Sequence, residues 1–290
     1  MRPTVQTFFD PATFTATHLV SDPATGMAAL IDPVLDYEPK WARVSAGSAD
    51  AVLLAVADQG LKLLYVLETH AHADHLSAAD YIRLKTGTKV AIGARITEVQ
   101  KVFIPLFDAD DLKPDGAQFD LLLTDESTLE LGELRIGVMQ TPGHTPACVT
   151  YLIGDAAFTG DTMFMPDYGT ARTDFPGGEA RTLYRSIRAI LDLPPATRLF
   201  LGHDYLPPAG RNLPAWETTV ADQRAHNLHI HNGITEDAFV ALREARNALL
   251  APPTLILPSL QVNIRAGALP PAGKSGQVFL KLPVTVANAV

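Results

Sequence analysis

Residues Thr69 to Leu76 read THAHADHL, three histidines and an aspartate packed together directly after the apolar run LKLLYVLE. The chain has only 9 histidines in 290 residues, so a third of them sit in this one stretch. A buried imidazole needs a polar partner, and an exposed cluster contributes little stability, so this crowding around an acid points to a metal ion. Three more residues repeat the setting: His144 in TPGHTP, Asp161 in FTGDTMF and His203 in FLGHDY. Each follows an apolar, strand-like run and a glycine, which lets the backbone turn sharply and approach closely. The candidate ligands are therefore His70, His72, Asp74, His75, His144, Asp161 and His203. Imidazole with carboxylate suits Zn(II) or Fe(II), and the donor types alone leave open which metal binds and how many ions.

Donors this far apart in sequence must be gathered by strands that end at one edge. Val5 to Pro33 reads as a hairpin opening a sheet, with PATG as a turn signal. Ala46 to Gln59 has helical apolar spacing and ends at Gly60. LKLLYVLET is a buried strand, HLSAADYIRLKTG a helix stopped by Gly87, and KVAIG another strand. TLELGELRIGVMQTPG reads as a hairpin, CVTYLIGDAAFTGD as two strands around Gly154 and Asp155, EARTLYRSIRAILDLP as an amphipathic helix and TRLFLGHD as a strand. This β-rich then α order, repeated in two halves, predicts a layered α/β protein with two sheets face to face and helices outside. The whole chain, residues 1–290, reads as a single domain with a short helical and Pro-rich C-terminal extension from about Leu213.

Bulk properties narrow the function classes. Hydrophobic content of 47% and charged content of 19% suit a globular enzyme. A formal net charge of −9 without a basic run argues against nucleic acid as a partner. The single cysteine, Cys148, opens an apolar strand and reads as a buried inert thiol, so the fold does not depend on an oxidising compartment. No window approaches the length of a membrane span and the first residues lack a signal-peptide core, so a cytoplasmic location without membrane attachment is expected. The sequence is compatible with a homo-oligomer and does not specify one.

The pattern H-A-H-A-D-H, followed by the separate His144, Asp161 and His203, resembles the metallo-β-lactamase superfamily. The likeness extends over nearly the whole chain and implies an αββα sandwich, with mixed sheets and the metal at one sheet edge. Further segments resemble the persulfide dioxygenase branch: GTARTDFPGG (residues 169–178), HTPACVTYLI, GHDY and the tail PSLQVNIRAG. That tail reads as too short and strand-like for the helical substrate domain of glyoxalase II relatives.

The resemblance implies one Fe(II) per chain, held by His70, His144 and Asp161 as a facial triad with open positions. His72, Asp74, His75 and His203 would then support those ligands or, in the alternative, hold the second ion of a dizinc thioesterase of the glyoxalase II type. The implied reaction consumes glutathione persulfide and O2 and gives sulfite and glutathione. Catalytic roles are expected for Tyr205, Asp74 and His75, and substrate contacts for Arg172, Tyr205 and His229. Arg172 could equally brace its loop through Asp174. His226 and His231 read as surface or packing residues.

Overall fold

In the computed structural model, which describes residues 2–207 and 209–286, the chain builds four layers. The first half contains β1 (Thr4–Asp10), β2 (Thr15–Ser21), β3 (Met27–Ile31), β4 (Val34–Glu38), β5 (Arg43–Ser45), α1 (Gly47–Asp58), β6 (Lys62–Leu67), β7 (Leu76–Ser77), α2 (Ala79–Thr86), β8 (Lys89–Gly93), α3 (Ile96–Leu106) and β9 (Leu121–Leu123). The second half contains β10 (Thr128–Leu131), β11 (Leu134–Gln140), β12 (Val149–Ile153), β13 (Ala156–Phe158), α4 (Ala180–Leu191), β14 (Arg198–Phe200), β15 (Glu217–Thr219), α5 (Val220–His226), α6 (Glu236–Asn247) and α7 (Ile256–Asn263). One sheet runs β1-β2-β3-β6-β8-β9 and the other β10-β11-β12-β13-β14-β15, while β5-β4-β7 forms a small third sheet. Both large sheets are mixed. In the first, β3, β6, β8 and β9 are parallel and β1 and β2 antiparallel; in the second, only β13 and β14 pair in parallel.

Side-chain alternation explains the layering. Along β3, Ala29 and Ile31 face the second sheet, while Ala28 and Leu30 face outward toward the helices. The inter-sheet core joins Ile31, Leu67 and Ala91 to Ile136, Tyr151 and Phe158. Val52 of α1, Ile82 of α2, Phe103 of α3 and Leu260 of α7 cover the outer face of the first sheet. Leu183, Ile187 and Ile190 of α4, at helical spacing, cover the second with Phe239 of α6. The expected αββα sandwich is the observed one.

Three local readings change. The helix expected from His75 begins only at Ala79, because Leu76 and Ser77 pair with Val34 and Leu35 of β4. Ser77 Oγ then accepts from the Ala79 amide, and the helix starts after that turn. The PSLQVNIRAG tail is not strand-like: Ile256–Asn263 is α7, buried along Leu260 to Asn263. The segment after Leu213 is also woven into the fold, since β15 pairs with β14 at the edge of the second sheet and α6 packs on α4. Among the described residues, no helix is long and apolar enough to cross a membrane.

Candidate metal centre

The two sheets end together at one edge, and every candidate ligand lies in a loop just beyond a strand there. The histidine loop follows β6, His144 follows β11, Asp161 follows β13 and His203 follows β14. Two glycines show why the turns need them. Gly160, before Asp161, has φ +50°, and a Cβ there would lie 2.3 Å from Thr69 Oγ1. Gly202, before His203, has space only for hydrogen, because a Cβ would meet Asp161 Oδ1 at 2.7 Å.

His70, His144 and Asp161 each bring one donor atom within 4.8 Å of the others, and all three are buried. The hydrogen bonds around them determine which nitrogen is free. The Thr69 hydroxyl donates to Asp32 Oδ2 at 2.7 Å, so its oxygen accepts from His70 Nδ1, 3.0 Å away. His70 Nε2 is left buried with no hydrogen-bond partner. His144 Nδ1 donates to the Arg172 carbonyl at 2.8 Å, which likewise frees its Nε2. Burial, reinforced by His72 and His144, holds the His70 pKa well below its ordinary value, so this imidazole is neutral. Burial works to raise the Asp161 pKa, but the adjacent His203 brings it below the usual carboxylate range. Two imidazoles and a carboxylate with committed far sides are a prepared candidate ligand set, and an orphaned buried Nε2 is the atom an ion would satisfy.

His203 is arranged differently. Its Nδ1 donates to Asp161 Oδ1 at 2.5 Å, while Nε2 lies 3.0 Å from Thr15 Oγ1 and in close contact with Asp74 Oδ2. Despite burial, these two carboxylates raise its pKa to about 10. His75 Nδ1 also reaches Thr15 Oγ1, at 3.2 Å, leaving its Nε2 without a partner. His72 lies 3.0 Å from Asp32 and 3.5 Å from Glu68, and Asp32, opposing burial, raises its pKa well above normal. Asp74, Asp161 and His203 form one donor group and His72, Asp74 and His75 another, but no group unites Asp74, His75 and His203.

A cleft of about 570 Å³ opens onto Asp74, His144 and Asp161. Phe14, Phe164, Tyr168 and Tyr205 form its aromatic wall, and the Tyr205 ring stacks on His203 with centroids 5.3 Å apart. Arg172, Arg243 and Arg246 line its other side. The Arg172 guanidinium is already occupied by Asp174, with two bonds of 2.6 Å, and by the Ala251 carbonyl at 2.8 Å, so the bracing arrangement is the observed one. His229 does not line the cleft. It is buried, accepts from the Thr170 amide at 3.0 Å, and burial with Arg246 and Arg243 nearby lowers its pKa to about 4. Besides Arg172, the basic residues lining the cleft are Arg243 and Arg246 of α6. His226 and His231 are at the surface, paired with Asp222 and the Asn232 carbonyl. Cys148 is buried, and its pKa rises to about 12, consistent with an inert thiol.

Sequence reasoning missed four residues that shape the site: Asp32, Glu68, Thr15 and Asn263. Asn263, on α7, donates to the His72 and His75 carbonyls at 2.8 Å each and accepts from the Ser77 amide at 2.8 Å, clamping the histidine loop from 186 residues away. Only the apolar-to-polar break after Ile31 hinted at Asp32, and nothing local marked Thr15 or Asn263.

Residues 16–203 match the metallo-beta-lactamase superfamily model. The chain is 54% identical to a probable metallo-hydrolase of Burkholderia pseudomallei, covering 97% of this chain and 99% of that one. It is 50% identical to a beta-lactamase hydrolase-like protein of Agrobacterium fabrum over 98% of its own length, and it spans 65% of that relative. It is 33% identical to the human mitochondrial persulfide dioxygenase ETHE1 over 68% of this chain and 66% of that protein. The crystal structure of ETHE1 from Myxococcus xanthus superposes with a TM-score of 0.73 at 31% identity, covering 91% of this chain and all of that one. With the four-layer sandwich and the His/Asp donor groups at its sheet edge, these relationships show that the chain belongs to the metallo-β-lactamase superfamily and to its ETHE1-like branch.

Proposed function

We propose that this protein is a persulfide dioxygenase with one Fe(II) held by His70, His144 and Asp161. Glutathione persulfide, O2 and water would give glutathione, sulfite and two protons. The observation that carries the reading is the division of labour among the histidines. His70 and His144 each keep a free Nε2, whereas both ring nitrogens of His203 are engaged. Two imidazoles and one carboxylate form the donor set of non-haem iron oxygenases, and Fe(II) bound there supplies the redox chemistry with dioxygen that zinc lacks.

The chain's own residues would do the rest. His203 orients Asp161 through the 2.5 Å bond to Oδ1, leaving Oδ2 to face His70 at 3.8 Å. Asp74 lines the cleft with its Oδ2 against His203 Nε2, so its carboxylate offers an acceptor for the S–H of an incoming persulfide. His75, held through Nδ1, adds a free Nε2 beside it as a proton acceptor. Phe14, Phe164, Tyr168 and Tyr205 would exclude water from the reacting sulfur, and the Tyr205 hydroxyl is the polar group of that wall suited to hydrogen-bond substrate or oxygen. Arg246 and Arg243 supply positive charge suited to the carboxylates of a glutathione moiety. Relatedness to the human persulfide dioxygenase supports the same reading.

Metal analysis of anaerobically purified protein, together with oxygen uptake on glutathione persulfide, tests the proposal. One iron per chain with oxygen consumed in step with sulfite release is expected. Two zincs per chain, hydrolysis of an acyl-glutathione and no oxygen uptake would replace it with the dizinc thioesterase reading.

A further inference from the structure

We infer that a small cavity beside the cleft is a subsite for a zwitterionic α-amino-acid head, the γ-glutamyl end of glutathione, with Arg43 taking its carboxylate and Glu38 its ammonium group. The subsite rests on the glutathione carrier proposed above and not on the metal or the reaction, because an acyl-glutathione would present the same head. The cavity, of about 160 Å³, lies between the β4–β5 hairpin and the turn that joins β1 to β2. Ala12, Thr13, Tyr37, Glu38 and Leu255 line both this cavity and the cleft, so the two spaces adjoin.

Hydrogen bonds separate the charged groups that are committed from those that are free. The cavity is lined by Asp10, Asp36, Glu38 and Arg43. Asp10 closes the β1–β2 turn, its Oδ1 accepting from the Ala12 amide at 3.2 Å and its Oδ2 from the Thr13 amide at 3.1 Å. Asp36 holds the first turn of α1, its Oδ1 accepting from Ser48 Oγ at 2.5 Å and its Oδ2 from the Ser48 amide at 3.1 Å. Glu38 uses Oε1 for the Lys40 amide at 3.0 Å and keeps Oε2. Among the described residues, none forms an ion pair with Arg43, although Glu38 is its direct cross-strand partner. Opposite charges at such positions ordinarily attract one another. Here one free anion and one free cation stand apart on the same face of the hairpin. An α-amino acid carries the complementary pair: its carboxylate suits the guanidinium and its ammonium the Glu38 carboxylate. A divalent cation would find Asp10 and Asp36 already committed. Arg243 and Arg246 line the cleft but not the side cavity. That purely cationic station suits the glycyl end of glutathione, a plain carboxylate, while the mixed station suits the γ-glutamyl end. The sulfur, on the middle residue, is then left in the cleft that Asp74, His144 and Asp161 line.

The test is binding rather than turnover. Anaerobic titration calorimetry on the metal-loaded protein compares S-methylglutathione with N-acetyl-S-methylcysteinylglycine, which keeps the amide and lacks the amino-acid head. The parent should bind the tripeptide about 10-fold more tightly. Arg43→Met and Glu38→Gln, with circular dichroism to establish folding, should each remove most of that preference and leave the affinity for the acetylated dipeptide within about two-fold of the parent's. Glu38→Gln retains Oε1 for the Lys40 amide, so it carries the test if Arg43→Met does not fold. A parent that binds the two ligands equally, or neither, overturns the inference. So do folded variants that keep the preference or weaken both ligands alike. Oxygen uptake on glutathione persulfide is read in parallel: a γ-glutamyl preference without oxygen uptake leaves the subsite standing and overturns the dioxygenase reading.

Discussion

Replacing Thr69 with Val removes one oxygen from the metal centre and little else. Valine nearly matches threonine in shape, and the Thr69 amide keeps its 2.7 Å bond to Asp32 Oδ1. What disappears is the hydroxyl that donates to Asp32 Oδ2 at 2.7 Å and accepts from His70 Nδ1 at 3.0 Å. The bond to Asp32 is charge-assisted, and such bonds contribute about 1.5–3 kcal/mol. Expressed as a binding constant, that is about 10- to 150-fold. Removing the outer partner of a metal-bound imidazole typically lowers metal affinity about 10- to 100-fold, so two independent routes give the same scale. The assay is competition for Fe(II) against a chelator under anaerobic conditions, with a denaturant melt of the metal-free protein alongside. The variant should bind iron about 10- to 100-fold more weakly while folding to the same secondary structure. Fe(II) affinity within about two-fold of the parent would refute the claim that Thr69 sets the His70 tautomer.

Asn263→Ala should destabilise the protein by about 3 kcal/mol in denaturant melts, because it leaves the His72 and His75 carbonyls and the Ser77 amide, all in a buried loop, without their partner. An unchanged melting midpoint would mean that α7 does not clamp the loop. Tyr205→Phe should keep the bound metal and the stacking on His203 while lowering kcat/KM about 10-fold, the equivalent of one polar contact of ~1.4 kcal/mol; kinetics identical to the parent would make Tyr205 purely structural. Stability should also fall between pH 6.5 and 4. Burial lowers His18 from 6.5 to about 4, so the unfolded chain takes up a proton first as pH drops through this window. The His18 contribution is fully present above pH 6.5, lost progressively toward pH 4, and worth ~3 kcal/mol in all. A His18→Gln variant with the same pH dependence as the parent would assign the loss elsewhere.

Local chemistry makes the outline of this protein legible in its sequence. Short apolar, β-rich runs marked β2, β3, β6, β8 and β11–β14, the amphipathic pattern of EARTLYRSIRAILDLP marked α4, and glycines before His144, Asp161 and His203 marked turns at strand ends. Helix α3 carries weaker signals, with no side-chain cap and Pro105 in its last turn. The seven donors were legible because metal chemistry restricts residue type, and strand ends gather them at one edge. What each donor does was not legible, because the role of an imidazole depends on which nitrogen carries hydrogen, and a distant partner decides that. For His70 the partner is Asp32 acting through Thr69, for His144 the Arg172 carbonyl, and for His203 Thr15, 188 residues away. His229 shows the same limit from the other side: its type and position suggested a substrate contact, but packing turned its ring onto Thr170 and left the cleft to Arg243 and Arg246 of α6. Sequence alone thus determined the layers and the inventory of candidate ligands, since both follow from local pattern and residue chemistry. Tertiary structure decided which lone pairs stay free, since hydrogen-bond direction is set by contacts between segments that only the folded chain brings together.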